Sequence, residues 1–200
     1  SYEMDTYVDP TRRLQESSAT PLQDFFKRPI LIHRFEWETA AESTFTINPW
    51  SLYFENPRVA NRLTNFNLMK SNLRVKIVVN GNGFLYGRMM AFYHPYAIFV
   101  LLSQIGTKKS DLVQASQMPH IFVNPTASTG GEMLLPMFSY TNSLSIPEQQ
   151  WSELGLLHFQ IINLLQHAND PGSAKCSVSI FAWAEDIEMS VLTTVEPPVL

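Results

Sequence analysis

The 200-residue sequence is poor in charge, has a single cysteine and contains no long apolar run. Charged residues make up 16% of the chain, whereas an average globular protein has roughly 25%. Much of the surface is therefore expected to meet other protein rather than water. Cys176 has no partner for an internal disulfide, and no Cys/His spacing is typical of zinc. No stretch reaches the roughly 18 apolar residues that a membrane-spanning helix needs.

Basic residues are also scarce, and the formal net charge is −4. A nucleic-acid-binding domain usually carries a basic patch or stripe, but the longest basic clusters here are Arg12-Arg13 and Lys108-Lys109. Any contact with nucleic acid is therefore expected to be minor. The first five residues lack the basic and apolar regions of a signal peptide and do not begin with methionine. A processed product or a fragment is expected.

Histidines and carboxylates are the candidates for a metal or catalytic site. A metal-binding jelly roll needs several histidines and a carboxylate converging from adjacent strands. His33 and His158 could face each other, but no His-x-His pair occurs and no carboxylate lies at close strand spacing. The remaining histidines are His94, His120 and His167.

Asp186 and Glu188 share a strand face, and paired carboxylates can hydrolyse glycosides. A solvated strand end accounts for them better, because they lie near the C-terminal end of the last strand. The Gly81/Gly83 turn lacks the lysine and Ser/Thr of a phosphate loop, and no Gly-x-Ser-x-Gly elbow occurs. Three of the four tryptophans lie in or beside apolar strands or turns, which favours core packing over a carbohydrate platform. We therefore predict no catalytic, cofactor-binding or metal-binding residue, and a protein that is not an enzyme.

Alternation of apolar and polar residues predicts strands over most of the chain. The clearest is Asn72 to Val79, which Asn80-Gly81-Asn82-Gly83 connects to a partner strand through a tight turn. In the long strand from Lys175 to Val191 the apolar phase changes near Ala184. A bulge explains this change, and so does a second covered surface that faces Phe181 and Trp183. We predict a loop up to Asn56 followed by a short helix over Pro57 to Thr64.

Residues 1–29 are predicted to form an extended N-terminal arm, residues 30–192 the folded domain, and residues 193–200 a C-terminal tail. A second helical turn is predicted at Ser110 to Ala115, with Ser110 as N-cap. Residues 142–152 read as a long loop, and so do residues 96–109, of which residues 96–106 could instead form a short strand. About eight strands without βαβ alternation predict an all-β sandwich or barrel.

Several motifs resemble capsid proteins of picorna-like viruses. Asp24-Phe25-Phe26-Lys27-Arg28-Pro29 precedes the first strand as in that family, and the residue 73–82 strand and turn is the best match. In order, the supporting motifs are Asn48-Pro49-Trp50, Asn56-Pro57-Arg58-Val59, Asn61-Arg62-Leu63, Tyr86-Gly87-Arg88, Tyr93-His94-Pro95, Gln117-Met118-Pro119-His120-Ile121, Asn124-Pro125-Thr126, Gly130-Gly131-Glu132 and Phe181-Ala182-Trp183-Ala184-Glu185. They keep their order over residues 20–192, and the likeness is greatest to dicistroviruses and marnaviruses.

The resemblance implies an eight-stranded antiparallel jelly roll with two short helices and two sheets, B-I-D-G and C-H-E-F. The expected strands are B 30–38, C 43–48, D 67–80, E 83–93, F 118–124, G 131–138, H 154–163 and I 175–191. It also implies an icosahedral virion capsid around positive-sense single-stranded RNA, assembled in the host cytoplasm. Expected partners are two other jelly-roll capsid proteins and symmetry copies of the chain. The RNA is contacted weakly at most, and no cofactor is expected.

The same motifs make the chain similar to the subunit usually numbered second, and they place residues 21–29 against a neighbouring subunit. Two other functions stay open from the residues themselves. One is a non-viral jelly-roll binding module, similar to a lectin or a cytokine. The other is a cupin-like metalloenzyme, which the histidine layout disfavours.

Overall fold

A computed structural model describes residues 22–39, 45–96, 112–169 and 174–192. Those residues form nine strands and four short α-helices. The helices are α1 (Leu22–Phe26), α2 (Pro49–Phe54), α3 (Pro57–Leu63) and α4 (Leu112–Ser116). The strands are β1 (Ile30–Glu38), β2 (Phe45–Ile47), β3 (Phe66–Asn80), β4 (Leu85–Pro95), β5 (His120–Val123), β6 (Gly131–Leu135), β7 (Leu144–Ser145), β8 (Gly155–His167) and β9 (Lys175–Leu192).

The strands form two antiparallel sheets that pack face to face. One has the order β1-β9-β3-β6, and the two-residue strand β7 pairs with the start of β3. The other has the order β2-β8-β4-β5. These orders are B-I-D-G and C-H-E-F of the predicted jelly roll, which is confirmed, and the two are called the BIDG sheet and the CHEF sheet below. No helix in the described parts of the chain is long and apolar enough to cross a membrane.

The core lies between the sheets because each strand alternates its side chains between two faces. In β3, Leu73, Val75 and Ile77 are buried, while the residues between them point away from the core. From the CHEF sheet, Leu157 and Phe159 of β8 are fully buried. The Phe159 ring stacks on Phe45, with ring centroids 4.6 Å apart and an interplanar angle of 4°.

The predicted bulge is present, but the predicted hairpin is wrong, because β3 pairs within the BIDG sheet and β4 within the CHEF sheet. β3 ends at Asn80, and β4 begins after a four-residue connection. Between β3 and β9 the register shifts: Lys70 pairs with Glu188, but Asn72 pairs with Glu185. One extra residue on β9 is thereby accommodated, and Asp186 takes a left-handed conformation (φ 53°). The shift returns Ile187 to the core, where it is 3% exposed.

The loop between β5 and β6 meets β3 and the β3–β4 turn so closely that two positions require glycine. A Cβ on Gly130 would collide with the carbonyl oxygen of Ile77, and one on Gly81 with the carbonyl of Pro125. The Ser128 hydroxyl lies 3.2 Å from both the Gly81 nitrogen, which donates to it, and the Gly81 oxygen, which accepts from it. The turn between β3 and β4 and the loop between β5 and β6 therefore form one packed unit.

The helices differ most from the prediction. Residues 49–54 were expected in a loop but form α2, because the Asn48 side chain accepts hydrogen bonds from the Trp50 and Ser51 amides and Pro49 occupies the first turn. The helix predicted from Pro57 is confirmed, with Asn56 as its cap. In α4, Leu112–Ser116 replaces the expected Ser110–Ala115, and Ser110 lies outside the described residues.

The segment predicted as an extended arm has local structure in its last part. Leu22–Phe26 forms α1 because Phe26 enters the core, where it is fully buried. The Tyr53 hydroxyl donates to the Phe26 carbonyl (2.9 Å) and accepts from the Ala184 amide (3.3 Å). This hydroxyl therefore joins α1 to β9.

The loop prediction over residues 142–152 was partly wrong, since β7 and a 3-10 helix, Gln150–Glu153, lie within it. Strand H is longer than expected and continues to His167. Of the loop predicted over residues 96–109, all but Tyr96 lies outside the described residues, as do residues 1–21 and 193–200.

Candidate interaction surfaces

Ion pairs connect the strands on the outer face of the BIDG sheet. Arg74 of β3 donates to both carboxylate oxygens of Glu185 on β9, at 2.6 and 3.0 Å. Lys76 pairs with Glu132 of β6 at 2.9 Å, and Lys175 lies 3.4 Å from Glu36 of β1. Each pair crosses from one strand to its neighbour, so this face is held by charge as well as by backbone hydrogen bonds.

The Arg74–Glu185 pair is the best-oriented of these because it is bidentate. The hydrogen bond from Arg74 lowers the pKa of the Glu185 carboxyl, and the same contact raises the pKa of Arg74. Trp183 adds a third donor, since its indole Nε1 lies 3.2 Å from Glu185 Oε1. Glu185 is therefore held in its ionised form.

Apolar side chains lie between these ion pairs. Leu31, Val78 and Leu134 are each about 40% exposed (43%, 38% and 42%). Phe181 and Trp183 are half-buried on the same face of β9. Alternating charged pairs and exposed apolar groups are typical of a surface that contacts another protein.

The outer face of the CHEF sheet has a different chemistry. One cross-strand row runs over all four strands: Thr46 pairs with His158, His158 with Phe92, and Phe92 with His120. The His158 ring lies flat on Phe92, at 5.0 Å between centroids and 14° between planes. His94, two residues after Phe92, places its ring centroid 6.1 Å from that of His158.

His158 sits in an environment that disfavours its charged form. Its Nδ1 lies 2.9 Å from the Thr46 hydroxyl, and its Nε2 is buried without a hydrogen-bond partner in the described structure. Burial, with a smaller effect of His94, lowers the pKa of His158 to about 4. Burial also lowers the pKa of His94.

Helix α4 lies on part of this face. Ala115 is 1% exposed and packs with Met90 and Phe92, while Met118 and Ile162 border this small cluster. Farther along, the Arg88 guanidinium stands 4.5 Å from the centre of the Phe122 ring. The CHEF face is therefore an aromatic and histidine surface with a helical cover at one part.

Two buried tyrosines connect the sheets to the helices. Tyr93 of β4 accepts from Trp50 Nε1 (2.9 Å) and donates to the Leu154 carbonyl (3.1 Å). Burial raises the pKa of Tyr53 to about 12 and also raises that of Tyr93. Both hydroxyls are therefore neutral hydrogen-bonding groups, not acids or bases.

The structure separates the candidates for a metal or catalytic site. His33 contacts Phe35 and Phe45 between the sheets, whereas His158 lies on the outer CHEF face, so they do not face each other. Asp186 and Glu188 are exposed beside the bulge. Nowhere in the described ranges do three His, Cys, Asp or Glu side chains converge as metal ligands.

Trp37, Trp50 and Trp151 are at most 4% exposed, which leaves Trp183 alone on an outer face. The sequence did not predict the row of Thr46, His158, Phe92 and His120. Strand alternation could have placed His158 and Phe92 on outward faces, but only the register brings them together.

Comparison with known proteins gives one consistent result. Residues 14–152 match the family described as picornavirus capsid protein. The structural polyprotein of Acute bee paralysis virus is 24% identical over 88% of this chain and 22% of the polyprotein. That of Cricket paralysis virus is 25% identical over 94% of this chain and 21% of the polyprotein. The chain thus spans about a fifth of the length of these curated relatives.

Solved structures agree. A chain in the structure of a marine algae virus of the order Picornavirales is 35% identical, with a TM-score of 0.80 over 98% of this chain and 85% of that one. A chain of Triatoma virus has a TM-score of 0.81 at 19% identity, over 100% of this chain and 81% of that one, which shows the shared fold alone. The family match covers more than half of the sequence, and the fold, sheet order and relatives agree with it. The chain belongs to the picornavirus capsid protein family, and it is a structural protein rather than an enzyme.

Proposed function

We propose that the chain is one subunit of an icosahedral capsid that encloses a positive-sense single-stranded RNA genome. The family match over residues 14–152 carries this proposal. The 35% identical chain comes from a virus structure of the order Picornavirales, which supports a place in the virion. Assembly in the host cytoplasm is part of the same proposal.

The partners that we propose are two other jelly-roll capsid proteins and symmetry copies of this chain. Relatives that share the fold come from structures described as a pentamer of Israel acute paralysis virus and an empty capsid of Triatoma virus. The outer BIDG face supports such contacts, because ion pairs and exposed apolar side chains alternate on it. A net charge of −4 supports no more than a minor contact with RNA.

The position within the shell is a finer proposal. We assign the chain to the subunit usually numbered second, with residues 1–29 as an arm, 30–192 as the shell domain and 193–200 as a tail. Leu22, Phe25 and Phe26 pack against the chain's own core. We therefore propose that the exposed side chains of this segment, among them Gln23, Asp24 and Lys27, make the intersubunit contact expected of residues 21–29.

Sedimentation of the native material, with analysis of its protein and RNA, tests the proposal. A particle of several megadaltons that contains this chain, two other proteins of similar size and nuclease-protected RNA is the expected result. A slow monomer or trimer without RNA would overturn it and would favour a ligand-binding sandwich, which a glycan array would then test.

A variant on the outer BIDG face tests the proposed contacts. Leu134→Asp places a charge on an exposed side chain, so the chain should fold normally while particle yield falls at least tenfold. Asn82→Asp, in the exposed β3–β4 turn, is the matched control and should assemble. Equal yields from both variants would exclude the outer BIDG face as an assembly surface.

A further inference from the structure

The cross-strand row on the CHEF face has one polar group for which the described structure offers no partner. His158 Nδ1 contacts Thr46 Oγ1, but Nε2 is buried and makes no hydrogen bond. A bare ring nitrogen tolerates this better than a buried N–H that lacks an acceptor. The neutral tautomer with its hydrogen on Nδ1, donating to Thr46, therefore fits the site. Protonation would add an N–H at Nε2 with nothing to receive it.

The charges around His158 act in the same direction. The neighbouring strands contribute His94, His120 and Arg88. No Asp, Glu or Lys occurs in the four strands of the CHEF sheet or in helix α4. Glu153 lies before β8 and is exposed. The Phe92 face attracts a cation, but His94 repels one, and no described carboxylate compensates. Among the described residues, a charged His158 therefore has no carboxylate to support it.

The layer around His158 is made of short elements. In the described part of the chain, β2 pairs with β8 through three residues, Phe45, Thr46 and Ile47. Phe45 also stacks on Phe159 in the core, and Thr46 is the residue that bonds His158. Helix α4 has five residues, and its buried Ala115 rests on Phe92, the ring on which His158 stacks. Movement of the His158 ring would therefore disturb both the edge strand and the helix.

We propose that the cross-strand row is an acid-sensitive latch, in which protonation of His158 opens the layer formed by β2 and α4 while the rest of the sandwich stays folded. The folded pKa lies below the ordinary value of 6.5, at about 4. The closed state consequently binds the proton more weakly than the open state. The stabilisation of the closed state by neutral His158 is at its full value above pH 6.5 and is lost as the pH falls from 6.5 towards 4. The latch is a property of the single chain and does not depend on the proposed capsid function.

Nuclear magnetic resonance titration of the five histidine rings in the full chain tests the closed state directly. We expect the His158 Cε1–H signal to titrate below pH 5. Titration of His158 between pH 6 and 7 in the folded chain would overturn the proposal. This measurement needs no variant, so it cannot fail through misfolding.

Hydrogen exchange, corrected for the intrinsic effect of pH, tests the opening. Between pH 7 and pH 5, protection of residues 45–47 and 112–116 should fall roughly tenfold relative to β3. His158→Gln should abolish this fall. His120→Gln, in the same row but bonded to the Met118 carbonyl, is the matched control and should keep it. An equal fall in wild type and His158→Gln would contradict the latch, as would an equal fall in β3.

Discussion

The two sheets differ in the charge on their outer faces. On the BIDG sheet, three ion pairs link neighbouring strands: β3 with β9, β3 with β6, and β9 with β1. The strands of the CHEF sheet contain no Asp, Glu or Lys. The CHEF face instead carries His94, His120 and His158 among aromatic rings. Both sheets contribute equally apolar inner faces to one core. One core can therefore support two surfaces that respond differently to pH and salt, because outward side chains on a strand do not constrain the inward ones.

The largest expected effect comes from a substitution in the core that lies between the two sheets. Phe159→Ala on β8 deletes a fully buried ring that stacks on Phe45 and contacts Phe35 edge-on at 5.5 Å. We expect the free energy of unfolding to fall by about 3–5 kcal/mol, measured by urea denaturation. Phe181→Ala, on the outer BIDG face, is the control and should cost less than about 1.5 kcal/mol. Similar losses of unfolding free energy for both variants would mean that the inner and outer faces of the sheets do not differ in their contribution to stability.

A second substitution tests the packed loops at the end of the sandwich. Gly130→Ala forces a Cβ against the Ile77 carbonyl of β3, so backbone must move. A loss of about 2–3 kcal/mol is expected. Gly83→Ala has nothing within 4 Å of its added Cβ and should be close to neutral by the same denaturation curve. A neutral Gly130→Ala would show that this contact between loop and strand is not needed.

Tyr53→Phe removes the hydrogen-bonded link between α1 and the BIDG sheet without opening a cavity. Its hydroxyl donates to the Phe26 carbonyl and accepts from the Ala184 amide, so its removal takes a hydrogen-bond partner from each of these two backbone groups. About 1–2 kcal/mol should be lost, together with increased proteolysis near Phe26. Leu52→Ala, on the same helix but 37% exposed, controls for helix propensity. Unchanged proteolysis would place the attachment of α1 elsewhere.

The smallest effect distinguishes the two outer faces by pH. Arg74 lowers the pKa of Glu185 below its ordinary value of 4.5, so the stabilisation is complete above that pH and is lost as the pH falls through the lower folded value. Glu185→Gln should therefore lower the melting temperature at pH 7 by less than about 3 °C, and this difference should shrink as the pH falls below 4.5. The His158 response lies at higher pH. If the effect of Glu185→Gln on stability changed between pH 6.5 and 5, the two faces would be coupled.

Local signals made most of the fold predictable. Asn80-Gly81-Asn82-Gly83 marks the end of β3, but the connection crosses to the other sheet and no residue in it has a positive φ. The phase change near Ala184 reveals the bulge. Helix α2 was missed because six residues rich in aromatics show little helical periodicity, and Pro57 suggested a loop before it. The signal that could have identified it is Asn48-Pro49, a cap followed by a first-turn proline.

The candidate surface was far less predictable. Alternation assigns His158 to one face of β8 and Phe92 to one face of β4, but the meeting of Thr46, His158, Phe92 and His120 depends on three separate registers between distant segments. Each register is fixed by turn geometry and core packing, which no local window of sequence contains. Burial of His158 Nε2 likewise follows only from the assembled layer.

The position of β9 between β1 and β3 has a consequence during synthesis. β9 ends at Leu192, yet it provides the neighbouring strand for both β1 and β3, and it supplies the Ala184 amide that α1 reaches through Tyr53. A chain that emerges from the ribosome with its N-terminus first therefore holds two strands with unpaired edges until nearly the whole domain has been made. We expect the BIDG sheet to close only after residue 192 has left the ribosome, at the pace of its long-range pairings. A nascent chain halted before residue 175 should remain open to proteases and dependent on chaperones.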